Sequence, residues 1–362
     1  MDNYLIYGAN GYTGALIARE ATARGHKPIL AGRNAGTVAT LARELGLEHR
    51  VFPLDSRTAI DEGIKGVRAL LHCAGPFAHT SKPMVDACLR HSIHYLDITG
   101  EIQVFEACAA RDNEAKTGNI MLMPGVGFDV VPSDCVAAHL KRRLPSATAL
   151  ALGFFSRGGL SRGTATTMTE NIHRGGAIRR NGVLTPVPAA WKTRTIDFGA
   201  GLMQAMTIPW GDVSTAYHST RIPNIEVYIA ASKKRHFLAR MSRYLGWFLG
   251  SSLAQNYFKR KIQAGPPGPT DAQRARGQCY LWGEATDDAN NKVVTRLRGP
   301  EGYTFTAWTA LAVVDRVLAG QAPAGFQTPA MAYGPDFVLE VHGVVREDEE
   351  ITQAHPSLAT TR

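Results

Sequence analysis

The chain has 362 residues, 44% of them hydrophobic and 20% charged, a globular composition that excludes a disordered, collagenous or disulfide-stapled protein. At roughly 100–200 residues per domain, that length predicts two domains or one domain with a large insertion. The formal charge of +9 is uneven: residues 1–130 hold 13 Lys+Arg against 14 Asp+Glu and the remainder 27 against 17, so the basic excess lies in the second part.

Tyr4-Leu5-Ile6-Tyr7 reads as a strand that stops at Gly8-Ala9-Asn10-Gly11-Tyr12-Thr13-Gly14. Ala15-Leu16-Ile17-Ala18 then starts a helical pattern ending near Gly25. Strand, glycine turn and helix in this order form a G-x-x-G-x-x-G variant of the dinucleotide fingerprint. Its glycines allow a tight turn and close backbone approach to a pyrophosphate, and the helix start offers free N–H groups to the anion. Pro28–Ala31 makes a second strand ending in Gly32-Arg33-Asn34. At this place a free ribose 2′-hydroxyl usually meets an acid, whereas a 2′-phosphate wants an arginine, so Arg33 predicts NADP(H) rather than NAD(H).

The rhythm continues with a helix over 36–46, a strand over 50–54 and the loop Asp55-Ser56. Residues 68–73 make a fourth strand, followed by Ala74-Gly75-Pro76-Phe77 and a helix over 83–91. Strands over 94–97 and 119–123 follow. This alternation specifies a doubly wound parallel sheet with ligands at the carboxyl ends of its strands. Loops 55–56, 74–77, 97–101 and 124–129 are therefore expected to share one crevice with the glycine turn. The expected cofactor-binding set is Gly8, Asn10, Gly11, Tyr12, Thr13, Gly14, Arg33, Asn34, Asp55, Ser56, Ala74, Gly75, Pro76, Phe77, Asp97, Thr99 and Gly127. Direct hydride transfer needs a positioned acceptor and a proton donor, and Glu101 or Asp129 serves as that acid if burial raises its pKa. The competing reading makes Asp129 and Asp134 caps of turns and of a helix starting near Cys135.

These residues resemble the saccharopine-dehydrogenase-like oxidoreductases, particularly the branch with trans-acting enoyl reductases. The likeness rests on Tyr7–Gly14, Ala31–Asn34, Cys73–Phe77, Tyr95–Glu101 and Gly127–Asp134, with fainter echoes in Arg162–Thr167 and Gly325–Pro329. The resemblance implies an N-terminal Rossmann-like domain, a central α/β (α+β) domain for substrate and dimerisation, a C-terminal helix returning to the first domain, and a homodimer. The expected divisions are 1–130, 131–300 and 301–362. The family covers C=C and C=N reduction. An ordered set of arginines for a tricarboxylate such as saccharopine is not apparent, and Arg157, Arg162, Arg174, Arg179 and Arg180 read as scattered surface residues.

In the second part, 147–155, 226–230 and 292–297 read as strands, and 303–318 as a helix. Between Ser232 and Ile262, apolar residues at helical spacing alternate with Lys and Arg, and no acid occurs from Val227 to Thr270. Such a basic amphipathic segment over 233–261 suits an anionic membrane surface, a lid over an apolar substrate, or a core or dimer helix. No helix-turn-helix, zinc-finger or aromatic RNA-binding pattern occurs, so nucleic acid is not expected as a partner. Tyr257 and Lys261 fit a Tyr-x-x-x-Lys pair, but lie far beyond the first strands. His91, His94 and Cys88 lack carboxylate companions at ligand spacing, so no metal site is expected. Five scattered cysteines and the lack of a basic, apolar leader or a spanning stretch predict a cytoplasmic protein, with peripheral membrane attachment open. Residues after Val345 read as a frayed tail.

The reading is an NADP(H)-dependent oxidoreductase acting on a C=C or C=N bond of a small molecule, with an acyl or lipid-like substrate preferred. The alternative is a non-catalytic NADP(H)-sensing or membrane-associated protein, and oxidation of bound NADPH by any acceptor separates the two.

Overall fold

The computed structural model describes residues 3–349 except 172 and 174, and of Arg157 the backbone alone. Arg174 and the segment from Glu350 onward thus lie outside the described residues. Strands β1 (Tyr4–Tyr7), β2 (Ile29–Gly32), β3 (His49–Val51), β4 (Ala69–His72), β5 (His94–Asp97) and β6 (Met121–Met123) alternate with helices. These are α1 (Tyr12–Ala23), α2 (Ala35–Leu45), α3 (Arg57–Gly63), α4 (Phe77–His91), α5 (Ile102–Ala109) and α6 (Asp112–Thr117). The strands pair in parallel in the order β3-β2-β1-β4-β5-β6. β1 and β4 are buried on both faces, which is why Tyr4–Tyr7 and Ala69–Leu71 read as unbroken apolar runs. The strand order reverses between β1 and β4, opening a crevice at their carboxyl ends.

Helix α7 (Val131–Arg143) carries the chain into a second, mixed sheet. Its strands are β7 (Ala149–Arg157), β8 (Gly176–Arg180), β9 (Val183–Val187), β10 (Thr193–Asp197), β11 (Leu202–Thr207), β12 (Asn224–Ala230), β13 (Gln278–Thr286) and β14 (Lys292–Pro300). The order is β10-β11-β12-β7-β13-β14, with the β8–β9 hairpin paired to β12. Between these strands run α8 (Arg162–Asn171), α9 (Asp212–Thr220), α10 (Lys233–Leu249), α11 (Ser252–Ala264) and α12 (Asp271–Arg276). One continuous core, including Ile17, Leu71, Val136, Leu281 and Leu311, joins the two sheets.

Helix α13 (Gly302–Leu318) lies between the sheets and is buried around much of its circumference. It packs along α1: His26 faces Asp315 at 3.4 Å, and Arg68 donates to the Leu318 carbonyl at 2.9 Å. The chain then adds β15 (Gly325–Phe326) beside β6, a short helix α14 (Pro329–Tyr333), and β16 (Val345–Asp348) on the edge of the second sheet beside β14.

Three expectations need correction. The third strand ends at Val51, because Pro53 lacks an N–H for the ladder. Helix α4 begins at Phe77, ahead of Pro83, because its first N–H groups find a carboxylate from elsewhere in the chain. Val345–Asp348, expected as part of a frayed tail, form a paired strand, and the rest of that stretch from Glu350 lies outside the described residues. Asp348 accepts from Thr295 at 2.6 Å and faces His139 at 2.9 Å, which ties the strand to β14 and α7.

Candidate functional site

The glycine turn joins β1 to α1 with no slack. Gly8 holds φ +80°, and its N–H and that of Ala9 both donate to the Ala31 carbonyl, at 2.8 and 3.1 Å. A Cβ on Gly8 would stand 2.8 Å from Ala74, and one on Gly14 would stand 2.3 Å from the Gly8 carbonyl oxygen. The first glycine therefore brings the turn against β4, and the last lets α1 seat on the turn. Helix α1 has no side-chain cap and no acid in its first turn. Its leading N–H groups, those of Tyr12, Thr13 and Gly14, remain free for an anion.

Arg33 is exposed at the end of β2 and has no hydrogen-bond or ion-pair partner among the described residues. Asn34 caps α2 by accepting from the Thr37 N–H at 3.1 Å, and Asn10 donates to the Thr37 hydroxyl at 3.0 Å. The Asn10 side chain lies so close over Gly32 that a Cβ there would meet it at 2.9 Å. Ser56 caps α3, accepting from Ala59 at 3.3 Å, while Asp55 is exposed beside it. An uncapped helix start, an unpaired guanidinium at the second strand end, and a cradle that any Cβ would fill together fit a dinucleotide with a 2′-phosphate.

Several other expected residues make contacts within the protein. The two Glu101 carboxylate oxygens accept from Phe77 N–H at 2.8 Å and Ala78 N–H at 3.0 Å. Glu101 thus caps the start of α4, and burial raises its carboxyl above the usual glutamate range. The Phe77 N–H is held by that carboxylate, and its ring is buried edge-on against His72. Asp97 is fully buried, accepting from Tyr95, Thr99 and Gly125, and burial raises its carboxyl to about 7. Thr99 is equally buried and accepts from the Glu101 N–H. Both residues shape the loops from within. Gly127 lies against α13, where a Cβ would meet Thr306 at 2.8 Å. Ala74 and Pro76 are half-buried and Gly75 is exposed at the carboxyl end of β4. Among the described residues no group of His, Cys, Asp or Glu could hold a metal. His94 accepts from Met121 N–H, and Tyr257 is exposed on α11.

Asp129 behaves differently. Its backbone carbonyl accepts from Trp210 Nε1 at 2.9 Å, but its carboxyl has no hydrogen-bond partner among the described residues. The carboxyl rests against Gly100, where a Cβ would stand 3.0 Å from it. Burial raises it to about 7. Asp134 does not cap its own helix: it lies inside α7 and accepts from Ala330 N–H at the start of α14.

Residues from the second half close the crevice, and here sequence reasoning fell short. The Tyr303 hydroxyl oxygen accepts from Ser161 N–H at 2.6 Å and lies 3.1 Å from the Thr164 hydroxyl, while its ring meets Tyr12 edge-on at 5.1 Å. Tyr12 in turn donates to the Pro269 carbonyl at 2.6 Å, and Arg274 donates to its hydroxyl oxygen at 3.3 Å. Arg162 fixes that covering loop through the Gly265 carbonyl. Arg179 is buried on Tyr217 and paired with Glu106, so neither arginine is a scattered surface residue. The single signal for this closure is the Arg162–Thr167 echo, which carries no information about a partner more than a hundred residues away.

Residues 4–123 match the family model described as the saccharopine dehydrogenase NADP binding domain. The chain is 23% identical over 162 residues to a saccharopine dehydrogenase-like oxidoreductase of Homo sapiens, covering 39% of this chain and 37% of that protein. It is 30% identical over 151 residues to a trans-acting enoyl reductase of Mycobacterium leprae, covering 39% and 35% respectively. The match thus spans little more than a third of these relatives' length. In structure, the chain is similar to saccharopine dehydrogenase (L-Glu forming) of Saccharomyces cerevisiae, with TM-score 0.64 over 96% of this chain and all of the other, at 9% identity. That likeness establishes the two-sheet fold. Residues 4–123 are a saccharopine dehydrogenase-type NADP-binding domain, and NADP(H) is the cofactor of this chain.

Proposed function

We propose that the protein is an NADP(H)-dependent oxidoreductase acting on a C=C or C=N bond, with an acyl-type C=C substrate preferred. The observation that carries the reading is Asp129: an unpaired carboxyl, raised to about 7, at the carboxyl end of the sheet whose glycine turn receives the dinucleotide. When bound, NADPH supplies the hydride. Arg33 would hold the 2′-phosphate and the α1 N-terminus the pyrophosphate, with Ala74–Pro76 on the other side of the glycine turn from Arg33. Asp129 in its protonated form gives a proton to the atom of the double bond that does not take the hydride. Tyr303, Trp210 and the 265–269 loop narrow the crevice and exclude water. The similarity to a protein named trans-acting enoyl reductase favours C=C chemistry, as does the commitment of Arg162 and Arg179 to internal contacts.

The test is NADPH oxidation by purified protein against a panel of enoyl thioesters and imines. Turnover of an enoyl thioester, falling about 10²–10⁴-fold in Asp129→Asn with NADPH affinity kept, supports the assignment. Turnover of imines alone corrects the substrate class. Tight NADPH binding with no oxidation by any member leaves the sensor reading in its place.

A further inference from the structure

Helices α10 and α11 turn their large apolar residues outward. Half of the exposed large hydrophobic residues among the described residues lie between 237 and 257, with Tyr244 76%, Trp247 80% and Leu253 82% exposed. A helix on a water-soluble domain does the reverse. Helix α10 instead faces the body with small residues: Ser242 is buried, Ala239 and Gly246 are half-buried, and a Cβ on Gly250 would stand 3.1 Å from the His173 ring. Arg243 fastens this inner side through the carbonyls of Ala189 and Ala190, each at 2.7 Å. On the outer side, Phe237, Met241, Tyr244 and Phe248 fall at i, i+4, i+7 and i+11, with Leu238 and Leu245 widening the stripe.

The charge on this surface has one sign. No acid occurs from Val227 to Thr270. Lys233, Lys234, Arg235, Arg240, Arg260 and Lys261 have no ion-pair partner among the described residues, whereas Lys259 pairs with Glu170 on α8. By helical spacing, Lys233, Lys234 and Arg240 border the apolar stripe. A second copy seated on this face would bring one basic rim against another with no acid to answer it. An anionic lipid surface answers both features, taking the aromatic and aliphatic side chains at the acyl boundary and the ammonium and guanidinium heads among the phosphates.

We propose that the α10–α11 face seats this protein on an anionic bilayer surface, lying in the interface. No helix among the described residues is long and apolar enough to cross a membrane. The seat lies beside the crevice rim, because α11 holds α8 through Gln255 and Lys259, and Thr164 in the first turn of α8 touches Tyr303. The proposal does not depend on which bond the enzyme reduces.

The test is co-sedimentation of the full chain with vesicles of phosphatidylcholine alone or with about 30% phosphatidylglycerol, at low salt and at about 0.5 M salt. The expected result is binding to the anionic vesicles that salt largely reverses. Trp247→Glu and the double change Lys233→Glu, Lys234→Glu should each lower partitioning about tenfold or more. NADPH affinity, unchanged in these variants, shows that they fold. Absence of binding to anionic vesicles at low salt overturns the proposal, as does binding that neither set of substitutions reduces. A soluble dimer that Trp247→Glu dissociates, without vesicle binding by the wild type, overturns it in favour of a second copy as occupant.

Discussion

Arg33, just after β2, has no hydrogen-bond or ion-pair partner among the described residues, and a planar guanidinium in that state suits a phosphate. Arg33→Ala should therefore weaken NADPH by about 10–100-fold while leaving NADH nearly unchanged, as read by nicotinamide fluorescence titration. Equal losses for both would place the 2′-phosphate elsewhere. Asp129 carries a second residue-scale consequence, because its carboxyl is raised from the usual aspartate range to about 7, with burial as the cause. Below the unfolded-state value both states are protonated and there is no cost. As pH rises through the unfolded value toward the folded one, the unfolded chain ionises first, and the stability contribution is lost. Asp129→Asn should accordingly raise Tm relative to wild type at pH 8 by more than at pH 5. A difference independent of pH would show that this carboxyl titrates normally.

At the scale of elements, the β1–turn–α1 unit is legible in sequence because everything it needs is local. The apolar run, the three glycines and the helical period lie within twenty residues, and the structure sets Gly8 against Ala74 and both Gly11 and Gly14 against the Gly8 carbonyl oxygen. Gly14→Ala tests the tightest of them. A methyl 2.3 Å from the Gly8 carbonyl oxygen must push α1 off the turn, costing about 1–3 kcal/mol by overpacking and abolishing NADPH binding. Retention of wild-type affinity would show that the turn relaxes freely. The start of α4 was not legible, because its cap is Glu101, which reaches Phe77 and Ala78 from 24 and 23 residues away. Asp134 shows the same limit: its position suggests a cap for its own helix, yet it serves α14, 196 residues on. Both were read by local rules, while the N–H groups that claimed them came from elsewhere in the chain.

On the scale of the whole molecule, alternating strands and helices disclosed the first sheet, whereas the second sheet joins strands from distant stretches of sequence and showed only as isolated runs. Pairing of β7 with β13 spans more than a hundred residues, and no turn motif announces it. The edge strand β16 was hidden by its acids, Glu347 to Glu349, which resemble a solvated tail. Arg143 and His139 on α7, with Thr295 on β14, receive Asp348 there. Asp348→Ala should lower stability by about 1–2 kcal/mol, a fall of several degrees in Tm by thermal scan; no change would mean that β16 contributes little to the second sheet. Asp129 stands after β6, between the first sheet and α7, and its carboxyl is proposed to donate the proton that accompanies hydride transfer. The most direct measurement is the pH dependence of kcat for NADPH oxidation with an enoyl thioester. The expected rate falls as pH rises through about 7 in the wild type and is slow and pH-independent in Asp129→Asn. A wild-type profile flat across that range, or a substituted enzyme turning over at the wild-type rate, would contradict it.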